Sequence, residues 1–204
     1  MKVVNCRARL EGIVEDELYF SYSVFGERFY EGKISVQRNS GIFDSIPIVV
    51  SERIVNNIED IKSGITASIE GEIRTYNVNK NNKNTLQVIC LVQQIEFFDN
   101  TYFKNEIYID GYICKEPIYR ITPLGKKICD FVVAVNRSYK KSAYIPCISW
   151  GKNAKYTSGL KVGDRIVGIG RIQSRNYKKV IGEEIVEKEA YEVSLSSISE
   201  VEYD

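Results

Sequence analysis

The sequence predicts an all-β protein built from two tandem five-stranded barrels, each with one short helix. The first observation behind this prediction is an internal repeat at an offset of 99 residues. Backbone-setting residues coincide in it: Gly12 with Gly111, Gly26 with Gly125, Ile46-Pro47 with Ile145-Pro146, Gly64 with Gly163 and Gly71 with Gly170. Because few other residues can fill such positions, the repeat indicates one backbone used twice. The second observation is that both copies give the same order of strand-like segments.

Strands of the first copy are predicted over residues 6–14, 27–38, 46–51, 65–76 and 86–98, with a short helix over 54–60. Those of the second copy are predicted over 106–114, 126–137, 144–150, 164–174 and 190–201, with a helix over 152–158. The last strands match only after a shift of four further residues, which we assign to the preceding polar loop.

Five strands with a helix between the third and the fourth are the order of an OB barrel. This fold closes its sheet and leaves the face of strands two and three for ligands. We therefore expect two domains, residues 1–98 and 105–204, joined by the linker 99–104. So short a linker favours barrels that pack against each other over barrels that swing freely.

Composition is that of an ordinary globular protein, with 44% hydrophobic residues among 204. No stretch approaches the roughly 18 consecutive apolar residues of a membrane helix. Charges at Lys2, Arg7 and Arg9 interrupt any signal-peptide apolar region. We expect a cytoplasmic, nucleoid-associated protein without membrane contact.

Residues for catalysis and metal binding are scarce. The chain has no histidine, and its five cysteines are scattered without a CxxC pair, so we expect neither a metal site nor another cofactor. The absence of histidine also removes the commonest general acid-base group. Gly168 and Gly170 lack the third glycine of a dinucleotide loop and are typical of a strand. We expect no catalytic residues and no enzymatic activity.

Aromatic and basic residues concentrate between Ser138 and Trp150. In a strand over 144–150, Tyr144 and Trp150 share one face, while Tyr139, Lys140 and Lys141 precede them on a loop. Rings beside cations suit unpaired nucleic acid, because every base has a face to stack and every nucleotide a phosphate. The alternative is that these rings reflect only the ordinary preference of strands for aromatic residues.

The second copy resembles the bacterial single-stranded DNA-binding proteins, or SSBs, over about residues 105–201. The resemblance rests on runs in family order: Ile109-Asp-Gly-Tyr-Ile113, Phe131-Val-Val-Ala-Val-Asn-Arg137, Tyr144-Ile-Pro-Cys-Ile-Ser-Trp-Gly-Lys152 and Gly170-Arg-Ile-Gln-Ser-Arg175. It implies an OB fold that binds single strands by base stacking and assembles into units of four barrels.

The stacking positions that the resemblance implies are all aromatic here: Tyr139, Tyr144, Trp150 and Tyr177. Candidate phosphate contacts are Lys126, Arg137, Lys140, Lys141, Lys152, Arg171, Arg175 and Lys178. For each of these cations, an ordinary solvated surface charge is the alternative.

The first copy departs from this pattern. At the repeat offset its counterparts of the four rings are Ser40, Ser45, Ser51 and Val78. Phe43 and Tyr76 lie nearby, either as shifted substitutes or as packing residues. Residues 1–104 carry a net charge of −2 and residues 105–204 one of +3, counted from the sequence. We expect the first barrel to be mainly architectural and the second to bind most of the DNA.

The favoured function is sequence-tolerant binding of single-stranded DNA in replication, recombination or repair. Single-stranded RNA stays open as a ligand, because no residue identifies a contact to a 2′-hydroxyl. The alternative of another class is a protein-interaction scaffold of a replication or mobile-element complex, since tyrosine, tryptophan and arginine are also enriched at protein interfaces. Two barrels per chain predict a homodimer, which would supply the four barrels of the resembled family.

Overall fold

The structure, a computed structural model, describes residues 6–80, 83–100, 102–137, 141–181 and 184–199. Within the strands, the side chains of 78–80, 83–85, 176–181 and 184–188 lie outside the described part. The strands are β1 Cys6–Val14, β2 Tyr19–Val24, β3 Glu27–Gln37, β4 Phe43–Ser51, β5 Thr66–Lys80, β6 Lys83–Phe98, β7 Lys104–Ile121, β8 Lys127–Asn136, β9 Ser142–Trp150, β10 Arg165–Ile181 and β11 Glu184–Ser199. Helix α1 spans Gly151–Thr157. The predicted all-β fold class is confirmed.

Each half closes its sheet in the same register. In the first half, Ile48 of β4 pairs in parallel with Cys90 of β6. In the second half, Cys147 of β9 pairs in parallel with Val193 of β11. Cys147 follows Ile48 by the repeat offset, and Val193 follows Cys90 by that offset plus the four-residue shift. The alignment of the two copies therefore describes the real correspondence of their OB barrels.

Two local predictions need correction. The helix predicted over 54–60 is only a 3-10 turn at Ile58–Asp60, where the Asn57 side chain accepts a hydrogen bond from the Glu59 amide. Such a side chain offers the backbone an alternative to a helix. Strand β2 was not predicted, although Phe20 to Val24 alternate apolar and polar residues; none of the residues of Tyr19–Val24 is buried. In the described part of the chain, no helix has the length and apolar content needed to cross a membrane.

The coincidence of Gly12 and Gly111 has a steric cause. A Cβ added at Gly12 would lie 2.2 Å from the Ser35 carbonyl oxygen, and one added at Gly111 would lie 2.5 Å from that of Ala134. Ser35 and Ala134 are themselves repeat partners. Only glycine lets the first strand of each barrel cross its neighbour this closely.

An antiparallel pairing of β1 with β7 joins the two halves. Ala8 faces Ile107 at its centre, with Cys6 opposite Ile109 and Leu10 opposite Asn105. Because Asn105 and Ile109 are the repeat partners of Cys6 and Leu10, exchanging the halves leaves the pairing unchanged. The chain therefore has an internal pseudo-two-fold axis. Buried apolar residues of both halves form one continuous core around it.

Side-chain contacts hold the halves together at two places related by this axis. At one, the buried carboxylate of Asp44 accepts hydrogen bonds from the Arg38 guanidinium and, at 3.0 Å, from the Ser174 amide of β10. At the other, Thr75 Oγ1 of β5 accepts a 3.0 Å hydrogen bond from the Tyr144 amide of β9. Thr75 and Ser174 are repeat partners. The extended β5–β6 and β10–β11 hairpins thus each dock on the opposite half.

The substitution Asp44→Ala is expected to lower the free energy of unfolding by about 3 kcal/mol, because it leaves Arg38 without its partner in a largely buried pair. The matched control is Asp130→Ala, which removes a bidentate but more exposed partner of Arg120 and should cost less than about 1 kcal/mol. Urea unfolding followed by circular dichroism measures both. Equal losses for the two variants would contradict the importance of this junction.

Candidate nucleic-acid interface

Strand β9 presents two rings to solvent. Tyr144 is 53% exposed and Trp150 is 39% exposed. Between them, Ile145, Cys147 and Ser149 are buried on the opposite face. The alternation predicted for residues 144–150 holds except at Ile148, which is buried although it lies on the face of the rings; both rings themselves lie outside the barrel.

Hydrogen bonds hold β9 near both of its ends, at the ring of Trp150 and at the backbone of Tyr144. The Trp150 indole Nε1 donates a 3.1 Å hydrogen bond to Ser194 Oγ of β11, which fixes the edge of the ring. At the other end, the Tyr144 backbone is held by Thr75 of the first half. A ring whose position is already set loses less conformational entropy when it contacts a ligand.

A polar groove of about 770 Å³ opens beside Trp150. Three of its cations come from the second half, Lys126, Arg171 and Arg175, and one, Arg38, comes from the first half. Its amide and hydroxyl groups belong to Asn105, Asn153, Gln173, Ser174, Ser194 and Ser196. The structure thus brings one predicted stacking ring and three predicted phosphate contacts together in a single groove.

Two carboxylates, those of Glu192 and Asp44, reduce the positive charge of this groove. Glu192 lies 3.4 Å from the Arg175 guanidinium and also accepts a 3.0 Å hydrogen bond from Gln173. Asp44 pairs with Arg38, and this contact raises the pKa of the Arg38 guanidinium. Four cations against two carboxylates leave the groove net positive. Such a lining attracts phosphate groups.

The other predicted site residues are spread around this groove. Lys141 precedes β9 and Lys152 lies on α1, and both are exposed, while Arg137 follows β8 and is half-buried. Tyr139 and Lys140 lie outside the described residues. Tyr177 and Lys178 have described backbone in β10, opposite Lys188 and Glu187, but their side chains lie outside the described part.

The first half carries hydroxyl groups that bind carboxylates where the second half carries rings. Ser45, the counterpart of Tyr144, donates a 2.7 Å hydrogen bond from Oγ to Glu15. Ser51, the counterpart of Trp150, donates one to Glu27. Ser40 is exposed, and the Val78 side chain lies outside the described part. The positions of Ser45 and Ser51 therefore lack an aromatic ring and lie beside carboxylates.

A second groove, of about 690 Å³, lies on the β2–β3–β4 side of the first half. Four tyrosines line it, Tyr19, Tyr22, Tyr76 and Tyr191, together with the carboxylates of Asp16, Glu17, Glu31 and Glu189 and the ammonium of Lys33. Burial raises the pKa of Tyr76 to about 12, and the charge of Glu31 adds to the effect. This acidic lining disfavours phosphate groups.

Several of these features were not predicted from the sequence. Arg38 joins the groove of the second half although it lies in the first copy; its alignment with Arg137 was the only available signal. Tyr76 belongs to the acidic groove, and Phe43 packs edge-on against Phe103 with ring centroids 5.7 Å apart. Among the described residues, no group of three or more Cys, Asp or Glu side chains is placed to hold a metal ion.

Fold and site together define a tandem OB-fold protein with an aromatic, cationic groove on its second barrel. Residues 104–201 match the model of the Single-strand binding protein family. The resemblance stated from the sequence is therefore confirmed over this second half.

Curated relatives agree with the family model. The chain is 35% identical over 81 residues to the "Single-stranded DNA-binding protein" of Clostridium tetani, which covers 36% of this chain and 56% of that protein. It is 28% identical over 88 residues to "Single-stranded DNA-binding protein A" of Bacillus subtilis, covering 40% and 51%. The chain thus spans about half the length of the curated relatives it matches.

The likeness of the fold extends over both halves. The crystal structure of the wild-type single-stranded DNA binding protein from Thermus aquaticus superposes with a TM-score of 0.79 at 16% sequence identity. The superposition covers 98% of this chain and 94% of that one. At this identity the likeness is one of fold, and it includes the arrangement of the two barrels.

Proposed function

We propose that this protein binds single-stranded DNA without sequence preference and without catalysing a reaction. The observation that carries the proposal is Trp150, an exposed ring anchored by Ser194 at the edge of a groove lined by Lys126, Arg171 and Arg175. Bases stack on such rings, and cations neutralise the phosphates between them. The names of the curated relatives support the same ligand.

The energetics suit tight but sequence-tolerant binding. Each stacked base contributes about 1–3 kcal/mol by substitution. Tyr144 and Trp150 provide two platforms on β9, and we assign two more to Tyr139 and Tyr177. The phosphate contacts proposed for this surface also include Lys140, Lys141, Lys152 and Lys178. Because every base has a stacking face and every nucleotide a phosphate, this combination does not select a sequence.

We assign the two halves different tasks. The second half, with its rings and net positive charge, binds the strand, while the first half is mainly architectural and holds the barrels in position. Binding of this kind protects exposed strands during replication, recombination or repair, in the nucleoid of the cytoplasm. Single-stranded RNA is the competing ligand for the same rings.

The acidic tyrosine groove of the first half favours a second candidate function, a protein-interaction scaffold. Its carboxylates suit a basic partner better than a phosphate backbone. The dependence of binding affinity on salt concentration distinguishes the two functions. Phosphate binding weakens steeply as salt rises because counterions are released, whereas an aromatic protein interface depends on salt far less.

Trp150 is the only tryptophan in the chain, so its fluorescence reports directly on the proposed site. Oligo-dT is expected to quench it strongly at low salt, oligo-rU less, and duplex DNA little. Binding should weaken by a factor of about 300 or more between 50 and 200 mM salt if six or more phosphates of a single strand are contacted. Absence of quenching together with absence of a gel shift would favour the scaffold.

A pair of tyrosine variants serves as the control for this titration. Tyr144→Ala is expected to weaken oligo-dT binding about 5- to 100-fold, the loss of one stacking platform. Tyr19→Ala, in the acidic groove, should leave the affinity unchanged. The division of tasks between the halves fails if Tyr19→Ala weakens binding as much as Tyr144→Ala does.

We also propose that two chains associate to supply four OB barrels. The outer face of the sheet around β7 and β10 carries exposed apolar side chains, with Tyr108 directly opposite Ile169 and Tyr112 nearby. Exposed apolar groups in neighbouring positions are typical of a contact surface between proteins. Arg7 of β1 faces Tyr108 on the same sheet, so this surface spans both halves of the chain.

Light scattering coupled to gel filtration at micromolar concentration tests this assembly. A dimer is expected, with twice the 23.4 kDa mass of one chain. The variant Ile169→Lys places a charge in the apolar surface and should shift the mass toward that of one chain. A monomeric mass for the unaltered protein would overturn the proposed dimer.

A further inference from the structure

The pseudo-two-fold axis relates the two junctions between the halves, so the side chains at one junction can be compared directly with those at the other. Arg38 and Arg137 are repeat partners and make the same backbone contact: the Arg38 amide donates to the Ile42 carbonyl, and the Arg137 amide donates to the Lys141 carbonyl, both at 2.8 Å. The two arginines therefore start from equivalent positions, because each directly follows the last residue of a strand, β3 or β8. Differences between their side-chain environments must come from the neighbouring residues.

Arg38 is fully engaged at its junction. Its Nε donates a 2.6 Å hydrogen bond to Asp44 Oδ2, and its Nη2 donates to Asp44 Oδ1. The carboxylate is completely buried, and its Oδ1 also accepts from the Ser174 amide. A ligand could bind this guanidinium only by breaking a buried ion pair, which is costly.

Arg137 lacks this partner, because Ala143 stands at the position of Asp44. Among the described residues, its Nε is buried and has no hydrogen-bond partner. Burial lowers the pKa of the Arg137 guanidinium, the nearby charge of Arg74 lowers it further, and Glu72 opposes the shift. A buried donor without a partner destabilises the conformation that holds it, by the desolvation of that group. Arg137 can therefore turn toward an anion without giving up an ion pair.

A second arginine reaches this junction from the first half. Arg74 of β5 lies beside Thr75, which holds the Tyr144 backbone. Its Nε and Nη2 donate hydrogen bonds of 3.2 and 2.8 Å to Glu72 Oε2 of the same strand, and this ion pair is more exposed than that of Arg38 with Asp44. The charged groups that face Arg137 among the described residues are thus Arg74 and Glu72. Two guanidinium groups and one carboxylate leave one positive charge in excess, next to an exposed predicted stacking ring.

We propose that Arg137 and Arg74 together bind one phosphate of a single-stranded DNA whose base stacks on Tyr144. The DNA then passes from the second half onto the first half at this junction. The phosphate takes the acceptor role that Asp44 plays at the equivalent place. This inference rests on the proposed function and adds to it a contact from the first half. Guanidinium groups suit the task because they bind phosphate oxygens in a bidentate manner.

The substitution Ala143→Asp tests the proposal by restoring the missing partner. The new carboxylate is expected to pair with Arg137 as Asp44 pairs with Arg38. Oligo-dT affinity should then fall about tenfold, and the slope of log affinity against log salt should become shallower by about 0.7, the loss of one phosphate contact on a single strand. The control is Ser142→Asp, which adds the same charge at an exposed neighbouring position. The decrease in log affinity caused by Ser142→Asp should be less than half of that caused by Ala143→Asp.

A second variant covers the case in which Ala143→Asp fails to fold. Arg74→Gln introduces the residue that Gln173 provides at the equivalent place, and it should also weaken oligo-dT binding and reduce the salt slope. In the Ala143→Asp protein, Arg74→Gln should add little, because both changes disable one site. Arg53→Gln, the same change at a more exposed arginine that pairs with Glu27, is the matched control.

The outcomes separate the inference from the function it rests on. If the unaltered protein does not bind oligo-dT, the proposed function fails. If it binds but Ala143→Asp behaves like Ser142→Asp, or Arg74→Gln behaves like Arg53→Gln, the junction site is overturned while the function stands.

Discussion

The backbone pairing of β1 with β7 is the contact on which the rest of the molecule depends. It places Ala8 opposite Ile107 on the pseudo-two-fold axis and makes the strands of two barrels parts of one sheet. From it follow the common core and the two equivalent junctions at which each long hairpin docks on the other half. Because the pairing lies within one chain, the relative position of the barrels does not depend on protein concentration.

A symmetric backbone with asymmetric surfaces is the main property of this protein. Gly12 and Gly111 meet the same carbonyl contact, and Pro47 and Pro146 occupy the same strand position. The side chains that barrel closure does not require have diverged: Trp150 with its groove in one half, Ser51 with its carboxylate partner in the other. Within the OB backbone, selection on ligand binding and selection on packing can therefore be separated residue by residue.

The parts of the fold that could be predicted from the sequence are those set by local backbone chemistry. Repeated glycines and prolines located both barrels, and the two-residue period of β9 placed Tyr144 and Trp150 on the outer face. Strand β2 carries the same two-residue period over Phe20 to Val24, but neither of its faces is buried, so it lies outside the five strands of the barrel order that guided the prediction. The short helix over 54–60 was wrong because Asn57 caps a 3-10 turn there. The contribution of Arg38 to the second groove depends on tertiary docking between distant strands, which no local pattern encodes.

The most direct test of where the strand binds is photo-crosslinking of the full chain to an oligo-dT substituted with 5-iodouracil, followed by mass spectrometry of the peptides. The rings on β9, Tyr144 and Trp150, are expected to carry the crosslinks. Tyr19 of the acidic groove should carry none. Crosslinks confined to Tyr19, Tyr22 and Tyr76 would contradict the assignment of DNA binding to the second half.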